Sequence, residues 1–64
     1  SPEWVLESFF DPEVRLYYRF YRMTVVGDKY LCVVVKASQG DAFVLTAYLT
    51  DSVKRGWRLW PETE

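Results

Sequence analysis

Between Val14 and Thr50 the chain sets three runs of β-branched and aromatic residues around two clusters of turn residues. Residues 14–26 read Val-Arg-Leu-Tyr-Tyr-Arg-Phe-Tyr-Arg-Met-Thr-Val-Val and contain neither Gly nor Pro. That composition fits a pleated, half-buried strand. Gly27-Asp28 is a two-residue hairpin signal. Residues 29–37 make a second strand centred on Val33-Val34-Val35, and a strand apolar on both faces belongs in the middle of a sheet. Ser38-Gln39-Gly40-Asp41 is turn chemistry, and residues 42–50 are the third strand. After a polar connector at 51–56, Trp57-Arg58-Leu59-Trp60 offers a short fourth strand stopped by Pro61.

The segment before the meander reads differently. Ser1 can cap a helix and Pro2 suits its first position. Val5, Leu6, Phe9 and Phe10 recur at helical spacing, and Asp11-Pro12 ends the pattern. The expectation is a helix over about residues 2–10. Too short to stand alone in water, it must pack on the sheet. The expected fold class is α+β: a short N-terminal helix on a three- to four-stranded antiparallel meander, in a single domain over residues 1–64.

With Gly27-Asp28 as the first loop, Val26 opposes Lys29 and Arg19 opposes Lys36. With Gln39-Gly40 as the second, Val34 opposes Leu45 and Val33 opposes Thr46. Side chains alternate between faces. One face then carries Tyr21, Met23, Val25, Cys32, Val34, Phe43, Leu45 and Ala47 and seats the helix. The other carries Tyr18, Phe20, Arg22, Thr24, Leu31, Val33, Val35, Val44, Thr46 and Tyr48, with polar groups around an apolar centre. A slip of one residue exchanges the faces.

Composition narrows the function classes. Half of the 64 residues are hydrophobic and 19% are aromatic, enough for a core in a domain that buries only about 60% of its unfolded surface. Cys32 is the sole cysteine and there is no histidine. An intramolecular disulfide is therefore impossible, a zinc site of the usual nitrogen and sulfur kind is not expected, and no Ser/His or Cys/His nucleophile scheme exists within the chain. No apolar run approaches the roughly 20 residues that cross a bilayer, and no signal-peptide pattern opens the chain. A cytoplasmic setting follows as the expectation, with no membrane partner, no metal and no cofactor. The opening Ser1-Pro2, without an initiator Met, reads as a fragment or processed product. Net charge is −1, which gives no general attraction to nucleic acid. The distribution is uneven: Glu3, Glu7, Asp11 and Glu13 make the first segment acidic, whereas Arg15, Arg19, Arg22, Lys29 and Lys36 face only Asp28 in the middle.

Tyr-Leu-Cys-Val-Val-Val-Lys (30–36), Phe-Val-Leu-Thr-Ala-Tyr (43–48) and Lys-Arg-Gly-Trp-Arg-Leu-Trp (54–60), with Asp11-Pro12-Glu13-Val14 before them, together resemble the small bacterial and phage branch of the barnase–EndoU–colicin–RelE-like nucleases. The resemblance covers Pro2 to Trp60. It implies metal-independent RNA cleavage, in a toxin or phage-defence setting, by attack of the RNA 2′-hydroxyl on the adjacent phosphate. Such chemistry needs a base, a cation and an acid. On the family's pattern Arg22, Thr46 and Tyr48 would be catalytic, and Arg19, Lys36 and Tyr18 would contact RNA phosphate. Many members carry a histidine in the N-terminal helical part, and this chain does not. RNA is then the implied partner, beside an antitoxin-like protein.

Each of these residues has a plainer role available. Arginines interleaved with Tyr17, Tyr18 and Tyr21 could hold phosphates while aromatic faces stack on bases, or could form cross-strand pairs that stabilise a sheet. Thr46 and Tyr48 are ordinary strand formers, and Lys36 suits a solvated strand end. Cys32, between Leu31 and Val33, reads as a small buried hydrophobe. Trp57 and Trp60 read as core or as cover for a sheet edge. Glu3 and Glu7 could act as a base, but suit a solvated face near a helix start. The rival function is a non-catalytic protein-interaction or dimerisation module, which exposed aromatics and the apolar middle of the second face would serve.

Overall fold

The computed structural model describes residues 2–61, apart from the side chain of Met23. The expected capping role of Ser1 and the expected core position of Met23 lie outside the described residues. Five strands form one antiparallel sheet: β1 (Trp4–Glu7), β2 (Val14–Thr24), β3 (Gly27–Ser38), β4 (Asp41–Thr50) and β5 (Trp57–Trp60). Their order across the sheet is β4-β3-β2-β1-β5. The meander β2–β3–β4 is thus extended on its β2 side by the first strand and then by the last.

The fold is all-β, which corrects the expected α+β class; no helix occurs among the described residues. The N-terminal segment is the reason. Trp4, Val5 and Leu6 suit a strand, and as β1 they gain a ladder with β2 that pairs Trp4 with Tyr18, Val5 with Tyr17 and Leu6 with Leu16. Glu3 extends this ladder: its amide donates to the Tyr18 carbonyl (2.8 Å), and its Oε1 accepts from the Phe20 amide (3.0 Å). The helical spacing of Val5, Leu6, Phe9 and Phe10 is not used. Leu6 is buried, whereas Phe10 is 96% exposed. Residues 8–13 form a turn in which the Phe10 amide donates to Ser8 Oγ and the Glu13 amide to Asp11 Oδ1.

Both expected registers are corrected. The first hairpin turns at Val25-Val26, with Thr24 opposite Gly27. Gly27 takes φ +96° as the chain leaves the turn, a conformation that suits glycine. Between Tyr21 and Thr24 the register then shifts, with Arg22 and Met23 of β2 set against Asp28 alone on β3. Beyond this irregularity Tyr18 opposes Cys32 and Leu16 opposes Val34. Relative to the expected pairing, β2 therefore turns its other side chains toward the Cys32 face. In the second hairpin Gln39-Gly40 is the loop, with positive φ at both residues. Between Val34 and Val35 the register shifts. Val35 opposes Val44 while Val34 opposes Thr46, so Leu45 is left without a partner on β3.

The inner face carries the core. Leu6, Leu16, Tyr18 and Cys32 are its buried residues, and Trp4, Val14, Tyr30, Val34, Tyr48 and Val53 pack around them. The place expected for a helix is taken by the β4–β5 connector, residues 51–56. Its Val53 packs on the core and its Lys54 amide donates to Tyr18 Oη (3.1 Å). The connector joins opposite edges of the sheet, about 19 Å apart if the strands lay flat. From Thr50 to Trp57 there are seven Cα steps, about 23–25 Å at full stretch, so the strap spans the core with a few ångströms to spare. No helix among the described residues is long and apolar enough to cross a membrane.

Candidate functional site

The six residues expected to form a nuclease site are spread over both faces and both ends of the sheet. Thr46 and Tyr48 are neighbours on the inner face of β4, opposite Val34 and Cys32. Arg22 lies near the far end of β2, in the irregular stretch before the first hairpin. It is six residues beyond Leu16, the β2 residue level with Thr46, or about 20 Å along the strand. Arg19 is on the outer face, in the row Arg19–Leu31–Leu49, with its guanidinium 5.6 Å from the centre of the Tyr21 ring.

Lys36 sits at the end of β3, where Nζ meets Asp11 Oδ2 at 3.1 Å and Glu13 Oε1 at 4.0 Å. The Glu13 amide and the Lys36 ammonium hold Asp11 below the usual carboxylate range, and Asp11 in turn raises Lys36. This ammonium is committed to two carboxylates. Tyr18 is fully buried, and its hydroxyl is bonded to the connector. Burial pushes its phenol above the ordinary value of 10.0, against the Lys54 amide, which favours the anion.

Other cations are also matched within the chain. Arg15 lies 3.7 Å from Glu7 and donates to the Pro12 carbonyl, and Lys29 pairs with Asp51. Lys54 stands over the Tyr48 ring and Arg58 over the Trp4 ring. The locally basic stretch of sequence is therefore not a continuous basic surface. No cleft forms among the described residues, and no three His, Cys, Asp or Glu side chains among them cluster to hold a metal ion.

The outer face is the feature that stands open. Register places Trp60–Val5–Tyr17–Val33–Ala47 in one row across all five strands. A second row runs Trp57–Glu7–Arg15–Val35–Val44. The inner face has the strap over it, whereas none of the residues in these rows is buried, and the Phe9 ring meets Trp57 edge-on at one end, centroids 5.0 Å apart. Large hydrophobics are exposed at the row ends, at Trp57, Trp60 and Val44, and Leu49 is exposed at the end of the Arg19–Leu31–Leu49 row. Sequence reasoning placed Val33, Val35 and Leu31 on an open face but missed Tyr17, Val5 and the two tryptophans beside them. What exchanges the faces is the extra residue at Arg22–Met23 on β2, which the run of strand-forming residues does not mark.

Comparison of the chain with known protein families, with curated proteins and with solved structures finds no match. The fold and the surface define a small all-β domain, one single-layered antiparallel sheet with a covered and an uncovered face.

Proposed function

We propose that this domain is a non-catalytic protein-interaction module that binds through the open outer face of its sheet and the adjoining β4 edge. The observation that carries this reading is the five-strand row Trp60–Val5–Tyr17–Val33–Ala47, left without cover. Trp, Tyr and Arg are the residues enriched where proteins meet, and this face offers Trp57, Trp60, Tyr17, Arg15 and Arg19. The Arg15–Glu7 pair sits within it, so the charge there is largely balanced before a partner arrives.

Two measurements test the reading. A hydrophobic dye such as anilinonaphthalene sulfonate should bind the native protein, as it does other exposed apolar surface. Replacing Leu49 and Trp60 by Ser should at least halve the signal while circular dichroism stays that of the folded sheet. Incubation with mixed RNA without divalent metal should leave the RNA intact. Cleavage that is lost in Thr46→Ala would overturn the interaction reading in favour of a ribonuclease.

A further inference from the structure

The two edges of the sheet are guarded very differently. β5 has only four residues, includes Arg58 and is followed by Pro61. Short length, charge and proline are the devices that keep a strand edge from recruiting another strand. β4 has ten residues, and eight of them are exposed. Its only charge is Asp41 at its first position, and it contains no Lys, Arg or Pro. The sheet order leaves one side of its backbone without a neighbouring strand. The edge is long, apolar and free of charge beyond Asp41, interrupted only by the bulge at Leu45, and an edge of this kind is a template for strand addition.

We propose that two copies of this chain pair β4 against β4 in antiparallel fashion, joining two five-stranded sheets into one. The inference rests on the interaction reading above and names its partner.

Three observations point to a second copy in this orientation. First, the partner strand must itself be uncharged and β-forming over about ten residues, and β4 meets that demand from Ala42 to Thr50. Second, antiparallel pairing carries the two Asp41 carboxylates to opposite ends, about 30 Å apart. Parallel pairing would set them side by side, where like charges destabilise. Third, the chain exposes 4967 Å². A compact monomer of 7.6 kDa exposes about 4,300 Å². The excess of about 700 Å² is more surface than a monomer of this size leaves uncovered, and the exposed Phe43, Val44, Leu45 and Leu49 of β4 contribute to it. Such a contact is two-fold symmetric and self-complementary, and the guarded β5 edge stops growth at the dimer. Pairing about the middle of β4 also sets Val44 beside Ala47 of the second copy and Leu49 beside its Ala42, so the open face becomes continuous across the two-fold.

The midpoint of β4 falls between Leu45 and Thr46, so a lysine at either position brings two ammonium groups together near the axis. Sedimentation equilibrium over a wide concentration range should give a mass that rises from one chain to two. Leu45→Lys should weaken the dimer by at least about tenfold, because like charges meet across the strands. Leu45 has no partner on β3, which favours an intact fold, and Thr46→Lys, with its sheet verified by circular dichroism, is the second variant. Mixing Leu45→Lys with Leu45→Glu should restore the dimer as a heterodimer. Wild-type protein that stays monomeric, lysine variants that dimerise as wild type does, or a mixture that fails to associate would each overturn self-pairing. A monomer that still binds the dye on its outer face overturns this inference alone, whereas RNA cleavage overturns the interaction reading beneath it.

Discussion

Two tyrosine hydroxyls meet the core from adjacent positions and fare differently. Tyr18 Oη accepts the Lys54 amide, so its burial is compensated. Tyr48 Oη is buried with no hydrogen-bond partner among the described residues, although its ring packs against the core and under Lys54 Nζ. An unpaired buried hydroxyl costs stability, and removing it while keeping the ring relieves that cost. Tyr48→Phe should leave unfolding stability in urea unchanged or raise it by up to about 1 kcal/mol. A loss of stability would mean that the hydroxyl is bonded. Tyr18→Phe should instead lose about 1 kcal/mol, because the connector amide loses its acceptor. The Thr-Ala-Tyr pattern could not distinguish these two tyrosines, since both lie in strands of similar composition. Cys32 was legible: flanked by Leu31 and Val33, it is fully buried. Lys36 was legible as a strand-end charge, but its partners Asp11 and Glu13 were not, because they belong to a turn whose position depends on β1.

At the level of elements, the strands of the meander could be read from composition, whereas their register could not. Register turns on single extra residues, here at Arg22–Met23 on β2 and at Leu45 on β4, and each shifts the pairing without altering the hydrophobic pattern. The N-terminal segment was misread for a related reason. Four residues of Trp-Val-Leu-Glu are too few for periodicity to separate helix from strand, and the ladder with β2 decides the matter. The strap over the core depends on close approach at Gly56. A Cβ built there would stand 2.7 Å from the Glu7 carbonyl oxygen and 3.2 Å from Leu6 Cβ. The first of these is backbone of β1 and cannot swing aside. Gly56→Ala should therefore push the strap off β1 and cost roughly 1–3 kcal/mol, as overpacking does. Thermal unfolding by circular dichroism measures it, and a melting temperature equal to that of wild type would show that the strap has slack.

For the whole molecule, the balance between inside and outside follows from having one sheet and one strap. A 64-residue chain of average compactness has a radius of gyration of about 11 Å, and this one measures 12.2 Å, with extents of 38 × 30 × 21 Å. Only one face of the sheet is covered, so large hydrophobics remain outside on the other face and along β4. Surface of this kind stabilises the native state when another molecule covers it, and only the native state presents it. Binding that favours the native over the unfolded chain raises apparent stability by mass action. If the partner is a second copy, the protein is its own ligand, and its melting temperature must depend on its concentration. Once the dimer dominates, each tenfold rise in concentration should add about 0.7 kcal/mol per chain, or roughly 3–6 °C for a domain of this size. Leu45→Lys should move the onset of the dependence to at least about tenfold higher concentration and converge on the wild-type melting temperature at high dilution. That convergence separates a lost interface from a damaged fold, because a variant with a damaged core would melt lower at every concentration. A wild-type melting temperature that stays constant across the range would leave the open surface without a self-partner.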